Sequence, residues 1–416
     1  MKRSLLLLLS LFLVLSVFAA SPAMAKKVDL ALWTKEDGDS LKEIERLAKD
    51  FSATHPDITI QVTNYGVEDL RQNFQSAAFA GSGPDLLWTV NDHAGPFATM
   101  NIIKPASDIY PASYFSKFVK PGLDAVQMDG KTWGVPISVG NHLMLLYNKK
   151  LIKTPPATTD ELIQVAKSLT KDTNKDGKPD QYGFVYNLNE PFWLAPWLGG
   201  FGGWPLDGRK ATLDSKAMVE ALEFLHDLKF VHKVVPSEAD YNGADALFKE
   251  GKAAMLINGD WSLAGYQTPD VKKNVDLGVA RIPKVSATGK WPSPMTSGVF
   301  FMFPSYLEGE RLEAVKEFVD YIVSPKIQLS FVQKFKRLPS VKSVLDDPIV
   351  AKDPILKGSS DQMVVGRPMP TVPEMRAAWD AMRPNLEAVM ADKATPAAAA
   401  KAMQEAAEKA IAEMTK

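Results

Sequence analysis

Lys27-Val28-Asp29-Leu30-Ala31-Leu32-Trp33, the run from Ser40 to Phe51 and Ile58-Thr59-Ile60-Gln61-Val62 together decide the fold. The first stretch alternates apolar and polar residues, the period of a half-buried strand. In the second, Leu41, Ile44, Leu47, Ala48 and Phe51 recur at helical spacing. His55-Pro56-Asp57 breaks that helix, and the third stretch reads as another strand. A β-α-β opening of this kind signals an α/β lobe, a sheet covered by helices. Gly81-Ser82-Gly83-Pro84-Asp85 then turns into Leu86-Leu87-Trp88, a third strand. Ligands of open α/β sheets sit at the carboxyl ends of strands, so Asp37 after the first strand and Trp88 and Asp92 at the third are expected to share one rim.

Further along, Trp133 to Val139 leads into Leu143 to Tyr147, an extended segment long enough to pass from one lobe to another. Helices are predicted at Thr159 to Leu169, capped by Thr158 or Thr159, at Ser215 to Phe230, and at Tyr241 to Lys249. A strand follows at Ser297 to Phe303 and a helix at Glu308 to Ile322. The Ala-rich tail from Pro373 to Lys416 reads as helix interrupted at Pro384 and Pro396, its alanines a sign of close helix packing or simple propensity.

Met1 to Ala25 combines a basic start (Lys2, Arg3), an apolar run from Leu5 to Ala20 and the small-residue exit Ala23-Met24-Ala25. That is the layout of a cleaved secretory signal, with cleavage expected before Lys26 and a periplasmic destination; the run is short for a permanent membrane anchor. The chain has no Cys, which removes disulfides, thiolate catalysis, Cys-ligated metals and an acylated-cysteine anchor. Without the leader, 46 Lys and Arg stand against 49 Asp and Glu, a balance that argues against a nucleic-acid partner. The remaining 391 residues exceed what one core usually supports, and no Ser-, Gly- or Pro-rich linker divides them. Two lobes that the chain enters more than once fit both facts.

The stretch Phe248-Lys249-Glu250-Gly251-Lys252-Ala253-Ala254-Met255-Leu256-Ile257-Asn258-Gly259-Asp260-Trp261 places a Trp just past a short buried strand. Sugars offer C–H patches on one face and hydroxyls around the rim, so a site for them needs flat aromatics beside carboxylates and amides. Trp88, Trp261 and Trp379 all lie beside polar or turn residues. Any one alone reads most simply as core; three in similar settings point to a cleft. Near Trp193, Trp197 and Trp204, Glu190 and Phe192 are the residues expected to touch ligand.

Other chemistry is poorly supported. Asp172 to Asp180 imitates a calcium loop, but the position of the bidentate Glu is Gly183, so an Asx-rich turn is the better reading and no metal or cofactor is expected. The five histidines show no HExxH spacing, and no G-x-S-x-G elbow or Walker loop occurs. Paired carboxylates, as in a glycosidase, remain the one catalytic option.

Gly83-Pro84-Asp85, Leu146-Tyr147-Asn148-Lys149, Asn187-Leu188-Asn189-Glu190-Pro191-Phe192, Phe248 to Trp261, and Met369-Pro370 through Pro373-Glu374-Met375 to Trp379 resemble, in this order, motifs of the periplasmic solute-binding proteins of carbohydrate ABC transporters. The similarity is greatest to the maltose/maltodextrin-binding members. The resemblance implies a type II two-lobed α/β fold with three crossovers, the lobes being 26–139 plus 284–332 and 140–283 plus 333–416. It implies stacking by Trp88 on the first lobe and by Trp261 and Trp379 on the second, carboxylate contacts from Asp37, Asp92 and Glu190, and a cleft-facing Arg383. Phe192 stands where the family has a Tyr. Gly140-Asn141-His142 replaces the family's glutamate, Gly38 a lysine and His93 an arginine, leaving Asn141 and His93 as possible further contacts. The implied function is capture of a di- or oligosaccharide, a maltodextrin or trehalose-like glucoside, by a monomer that closes on it and delivers it to a membrane permease. A polyol, osmolyte or peptide ligand and a secreted glycoside hydrolase are the competing readings.

Overall fold

The computed structural model describes residues 27–414. The expected leader, 1–25, lies outside the described residues. In chain order the strands that matter are β1 (Val28–Thr34), β2 (Ile58–Asn64), β3 (Leu86–Val90), β4 (Val135–Gly140), β5 (Leu143–Asn148), β6 (Tyr182–Val185), β7 (Ala253–Gly259), β8 (Leu277–Ala280), β9 (Met295–Pro304) and β10 (Leu338–Pro339). They form two sheets. The larger runs β10-β4-β9-β3-β1-β2, the smaller β8-β5-β7-β6.

The opening β-α-β unit is as read: β1 pairs parallel with β2, and α1 (Gly38–Thr54) covers them by burying Ile44, Leu47, Ala48 and Phe51. After α2 (Val67–Phe79) the chain returns as β3 on the other side of β1, again parallel. Strand order therefore reverses at β1, which creates a crevice at the carboxyl ends of β1 and β3. β9 runs antiparallel between β3 and β4.

Each sheet has its own core. Leu30, Leu86, Phe301 and Phe318 belong to the larger one, Leu145, Phe184, Met255 and Leu222 to the smaller. The chain passes from one to the other between β4 and β5, where only Asn141 and His142 intervene. Leu338–Pro339 pairs with β4, and Val341, Val344 and Leu356 are buried in the larger-sheet core.

Three helices shape the smaller-sheet side of the crevice, α3 (Pro191–Phe201), α4 (Tyr241–Lys249) and α5 (Glu374–Met390), and α6 (Pro396–Met414) packs against α5. The expected interruption at Pro384 does not occur; α5 continues through it to Met390. A proline deletes one helical hydrogen bond and costs about 3 kcal/mol in isolation. Here Met382, Leu386, Val389 and Met390 around it are buried, which anchors both halves. Pro396 instead starts α6, where a missing N–H costs nothing. Ala399, Ala400 and Ala407 of α6 are buried in the smaller-sheet core, so these alanines serve close packing. No helix among the described residues is long and apolar enough to cross a membrane.

Candidate functional site

Between the two sheets lies a cleft of about 550 Å³, inside the range of roughly 300–1,000 Å³ usual for small-molecule sites. Its larger-sheet wall is polar and its smaller-sheet wall aromatic.

The polar wall is built at the ends of β1 and β3. Asp37 immediately precedes α1, is exposed, and makes no capping bond to the helix. Asp92 sits in the 3₁₀ turn Asn91–His93 after β3. Its Oδ1 is buried without a hydrogen-bond partner among the described residues. Burial first, and the negative charge of Glu68 second, push the Asp92 carboxyl up to about 6. Behind Asp37, Glu36 and Arg337 form a buried pair, with Nη1–Oε1 at 2.8 Å and Nη2–Oε2 at 2.7 Å. Burial alone would raise the Glu36 carboxyl, but the charges of Arg337 and Lys35 outweigh it and hold it far below the usual carboxylate range.

The aromatic wall comes from three separate elements. Phe192 opens α3, Trp261 follows β7, and Trp379 projects from α5. The Phe192 ring centre is 6.1 Å from that of Trp261 and 6.3 Å from that of Trp379. Trp193 stands edge-on to Trp261 at 6.1 Å and donates its indole N–H to the carbonyl of Ile257 at 2.9 Å. Trp261 donates its own N–H to the Tyr241 hydroxyl at 3.1 Å. Gly259 makes this possible, since a Cβ there would lie 2.1 Å from the Trp261 ring. Trp261 is thus held in one orientation before any ligand arrives.

Glu190 and Arg383, expected as independent contacts, are bound to each other, with Nη2–Oε1 at 3.1 Å and a second contact between Nη1 and Oε2. Asn141 lines the cleft at the crossover with φ +45°. Its N–H donates to Asp260 beyond β7 at 3.2 Å and its amide to Ser297 of β9 at 3.3 Å, so it ties the two sheets together.

The structure thus brings Asp37, Asp92, Asn141, Glu190, Phe192, Trp261, Trp379 and Arg383 to one cleft. It does not bring Trp88 or His93 there. All five residues of β3 are buried, so a side chain in that strand meets core on either face. Trp88, 2 % exposed, packs edge-on to Phe301 at 5.1 Å and near Phe331 at 6.0 Å. His93 lies under Thr89, its Nδ1 2.9 Å from Oγ1, and burial pushes its imidazole down to about 3, a neutral core group. Conversely, Glu68, Tyr241, Trp193 and Arg337 line the cleft although the sequence singled out none of them as ligand contacts. Tyr241 carries the one local signal, its place at the start of a helix.

The turn from Asp172 to Asp180 directs its carboxylates at its own backbone. Asp180 accepts from the N–H groups of Thr173 and Asn174 at 3.0 and 3.1 Å, and Asp172 from that of Gly177 at 2.9 Å. Gly183 packs on the backbone of helix Thr159–Leu169, where a Cβ would fall 2.1 Å from the Ala166 carbonyl oxygen. A liganding Glu has no room there.

Comparison with known proteins agrees with this fold. The profile of a family described as "Bacterial extracellular solute-binding protein" matches residues 46–358. The solved maltose/maltodextrin-binding domain MalE from Bdellovibrio bacteriovorus, bound to maltotriose, superposes with a TM-score of 0.89 at 42 % identity, covering 92 % of this chain and 100 % of that one. The maltotriose-binding protein of Pyrococcus abyssi is 25 % identical over 368 residues, 87 % of this chain and 78 % of its own length. The galactooligosaccharide-binding protein of Bacillus subtilis is 25 % identical over 412 residues, 94 % and 91 % of the two chains.

Proposed function

Since the chain belongs to the bacterial extracellular solute-binding protein family, we propose that it captures a linear gluco-oligosaccharide of the maltodextrin type in the cleft and presents it to the membrane permease of an ABC importer. The observation that carries this reading is one cleft lined both by the rings of Phe192, Trp261 and Trp379 and by the carboxylates of Asp37 and Asp92. A pyranose needs both: ring faces for its C–H patches and charged acceptors for its hydroxyls. Names of relatives that bind maltotriose and maltodextrins support the choice of sugar.

The two sheets would act as the cores of two lobes, 26–139 with 284–332 and 140–283 with the C-terminal part. Pairing of Leu338–Pro339 with β4 favours extending the first lobe to about residue 356. Ligand contacts to both lobes exist only when they are together, so binding shifts the population to the closed form, the one a permease would recognise. Every cleft residue named above comes from one chain, so binding as a monomer requires no contribution from a second copy. A periplasmic location accords with the family and with the leader-like sequence of residues 1–25.

A binding role is favoured over hydrolysis by the family match and by relatives that are named as binding proteins. Asp37 and Asp92 both line the cleft, and a glycosidase would need such a pair to flank the scissile bond as one protonated and one free carboxylate, so the test includes product analysis. The test is calorimetric titration of the chain from residue 26 with maltose, maltotriose, trehalose and a galacto-oligosaccharide, followed by product analysis after prolonged incubation. Tight binding of maltotriose with the sugar left intact is expected. No heat with the glucans, or release of glucose, would overturn the proposal.

A further inference from the structure

Behind the aromatic wall, a line of polar side chains runs from Lys249 to Trp261. Tyr241, Asp245 and Lys249 recur at every fourth position of α4, so they share one face of the helix. The Lys249 ammonium lies 2.6 Å from one Asp245 oxygen, and the Tyr266 hydroxyl donates to the other at 2.6 Å. Asn258 of β7 donates its amide N–H to the same hydroxyl at 2.9 Å. Its carbonyl oxygen accepts the N–H of Gly259 at 2.8 Å, and its amide also faces the Tyr241 hydroxyl. Tyr241 in turn accepts the indole N–H of Trp261 at 3.1 Å. Tyr266 and Asn258 are buried, and neither lines the cleft.

The line has one direction. A carboxylate held by an ammonium offers only lone pairs, so the Tyr266 hydroxyl has to donate to it. Burial first, and the charge of Asp245 second, raise that hydroxyl well above its ordinary 10, so it keeps the proton it donates. Its lone pairs then face Asn258, whose amide presents N–H there because its oxygen is taken by Gly259. The Tyr241 oxygen is left to accept from its neighbours, Trp261 among them. Buried hydrogen bonds joined in this way polarise one another, so a break at one end is felt at the other.

We propose that Tyr266, backed by Asp245, is a positioning residue for sugar binding that acts through Asn258 and Tyr241 to hold the Trp261 ring at the aromatic wall. The inference rests on the oligosaccharide reading above. It is tested by double-mutant cycles read by calorimetric titration with maltotriose. Tyr266→Phe keeps the ring and removes the hydroxyl, and Asp245→Asn keeps the shape but can donate back to Tyr266. Each should weaken binding by about fivefold or more in the wild-type background, the scale of one buried hydrogen bond. Once Trp261→Ala has removed the ring they position, each should cost less than about twofold. Equal losses in the two backgrounds, as a purely structural role would give, or unchanged affinity in both variants overturns the proposal. Should Tyr266→Phe fail to fold, Asp245→Asn decides by the same criterion. A Trp261→Ala chain that binds as tightly as wild type overturns the positioning role alone, whereas absence of binding by the wild type overturns the oligosaccharide reading and the positioning role with it.

Discussion

Nη1 of Arg376 lies 2.7 and 2.8 Å from the two carboxylate oxygens of Glu68, an ion pair that spans the mouth of the cleft. Arg376 belongs to α5, whose Met375 and Ala378 are buried in the smaller-sheet core. Glu68 belongs to α2, whose Leu70 and Phe74 pack beneath the larger sheet with Leu87 and Met302. Arg209 and Asp129 make a second such span at 3.2 Å. Contacts of this kind exist only while the two halves are together, so they bias the protein toward closure.

Arg376→Ala should therefore weaken sugar binding without altering a single stacking residue. Glu68 is 41 % exposed, so solvent screens the pair, and an effect of about 1 kcal/mol, roughly fivefold in affinity, is the scale to expect. Small-angle scattering of the ligand-free variant should give a larger radius of gyration than wild type. Equal radii and equal affinities would show that the pair does not bias closure.

Asp92 should make binding depend on pH near neutrality. Its carboxyl, raised to about 6 by burial and by Glu68, is the better acceptor for a sugar hydroxyl when ionised. Affinity should rise as pH increases through 6, with proton release on binding that calorimetry in two buffers of different ionisation enthalpy detects. For stability the sign is opposite. A carboxyl whose folded-state value lies above the unfolded one binds its proton more tightly when folded, so its contribution is greatest at low pH and is lost as pH rises through 6. Asp92→Asn should accordingly raise the melting temperature most at pH 7.5 and progressively less as pH falls from 6 toward the ordinary value of 3.8, and should flatten the pH dependence of affinity. A variant with the wild-type pH profile of affinity would remove Asp92 from the ligand's partners.

Trp261 and Trp88 should separate binding from stability. Trp261→Ala removes an oriented ring from the aromatic wall and should cost about 2 kcal/mol or more in binding, as central aromatic anchors do. Trp88→Phe keeps a ring in the larger-sheet core and should leave sugar affinity within about twofold of wild type, since the Trp88 side chain lies away from the cleft. Titration of both variants with maltotriose checks the pair; a large loss with Trp88→Phe would restore it to the site.

That contrast marks where sequence reasoning succeeds and fails. The β-α-β opening, the buried strand ahead of Trp261 and the bare crossover at Gly140-Asn141-His142 were legible because period, burial and breakers are local properties. Trp88 misled because its neighbours in sequence, a Gly-Pro-Asp turn and an acid four residues on, resemble those of a rim residue. Only the assembled core, in which Phe301 and Phe331 pack against the indole, shows that it is covered. Glu68 and Arg337 were invisible for a related reason. Their partners stand 308 and 301 residues away in the chain, and charged residues in such numbers give no hint of who meets whom. The pairing of Glu190 with Arg383 was hidden likewise, although each residue was correctly placed at the cleft.

Beneath the polar wall, the Glu36–Arg337 pair should control acid stability. Glu36 is 3 % and Arg337 6 % exposed, and Lys35 adds a contact to Glu36 Oε1 at 3.1 Å. Removing one partner of such a buried pair strands the other's charge, which typically costs 3–5 kcal/mol, so Arg337→Met should lower the melting temperature markedly at pH 7. Glu36→Gln/Arg337→Met, which leaves no ionised glutamate behind, should recover much of the loss. Because the Glu36 carboxyl is held below its ordinary 4.5, the stability it contributes is present above that value and disappears as pH falls toward its folded-state value. Thermal melts from pH 7 to pH 3 should therefore fall more steeply for the wild type than for the double variant, in which this group no longer titrates. Parallel curves would assign the acid sensitivity to other carboxylates, and an unchanged melting temperature in Arg337→Met would show that Lys35 alone neutralises Glu36.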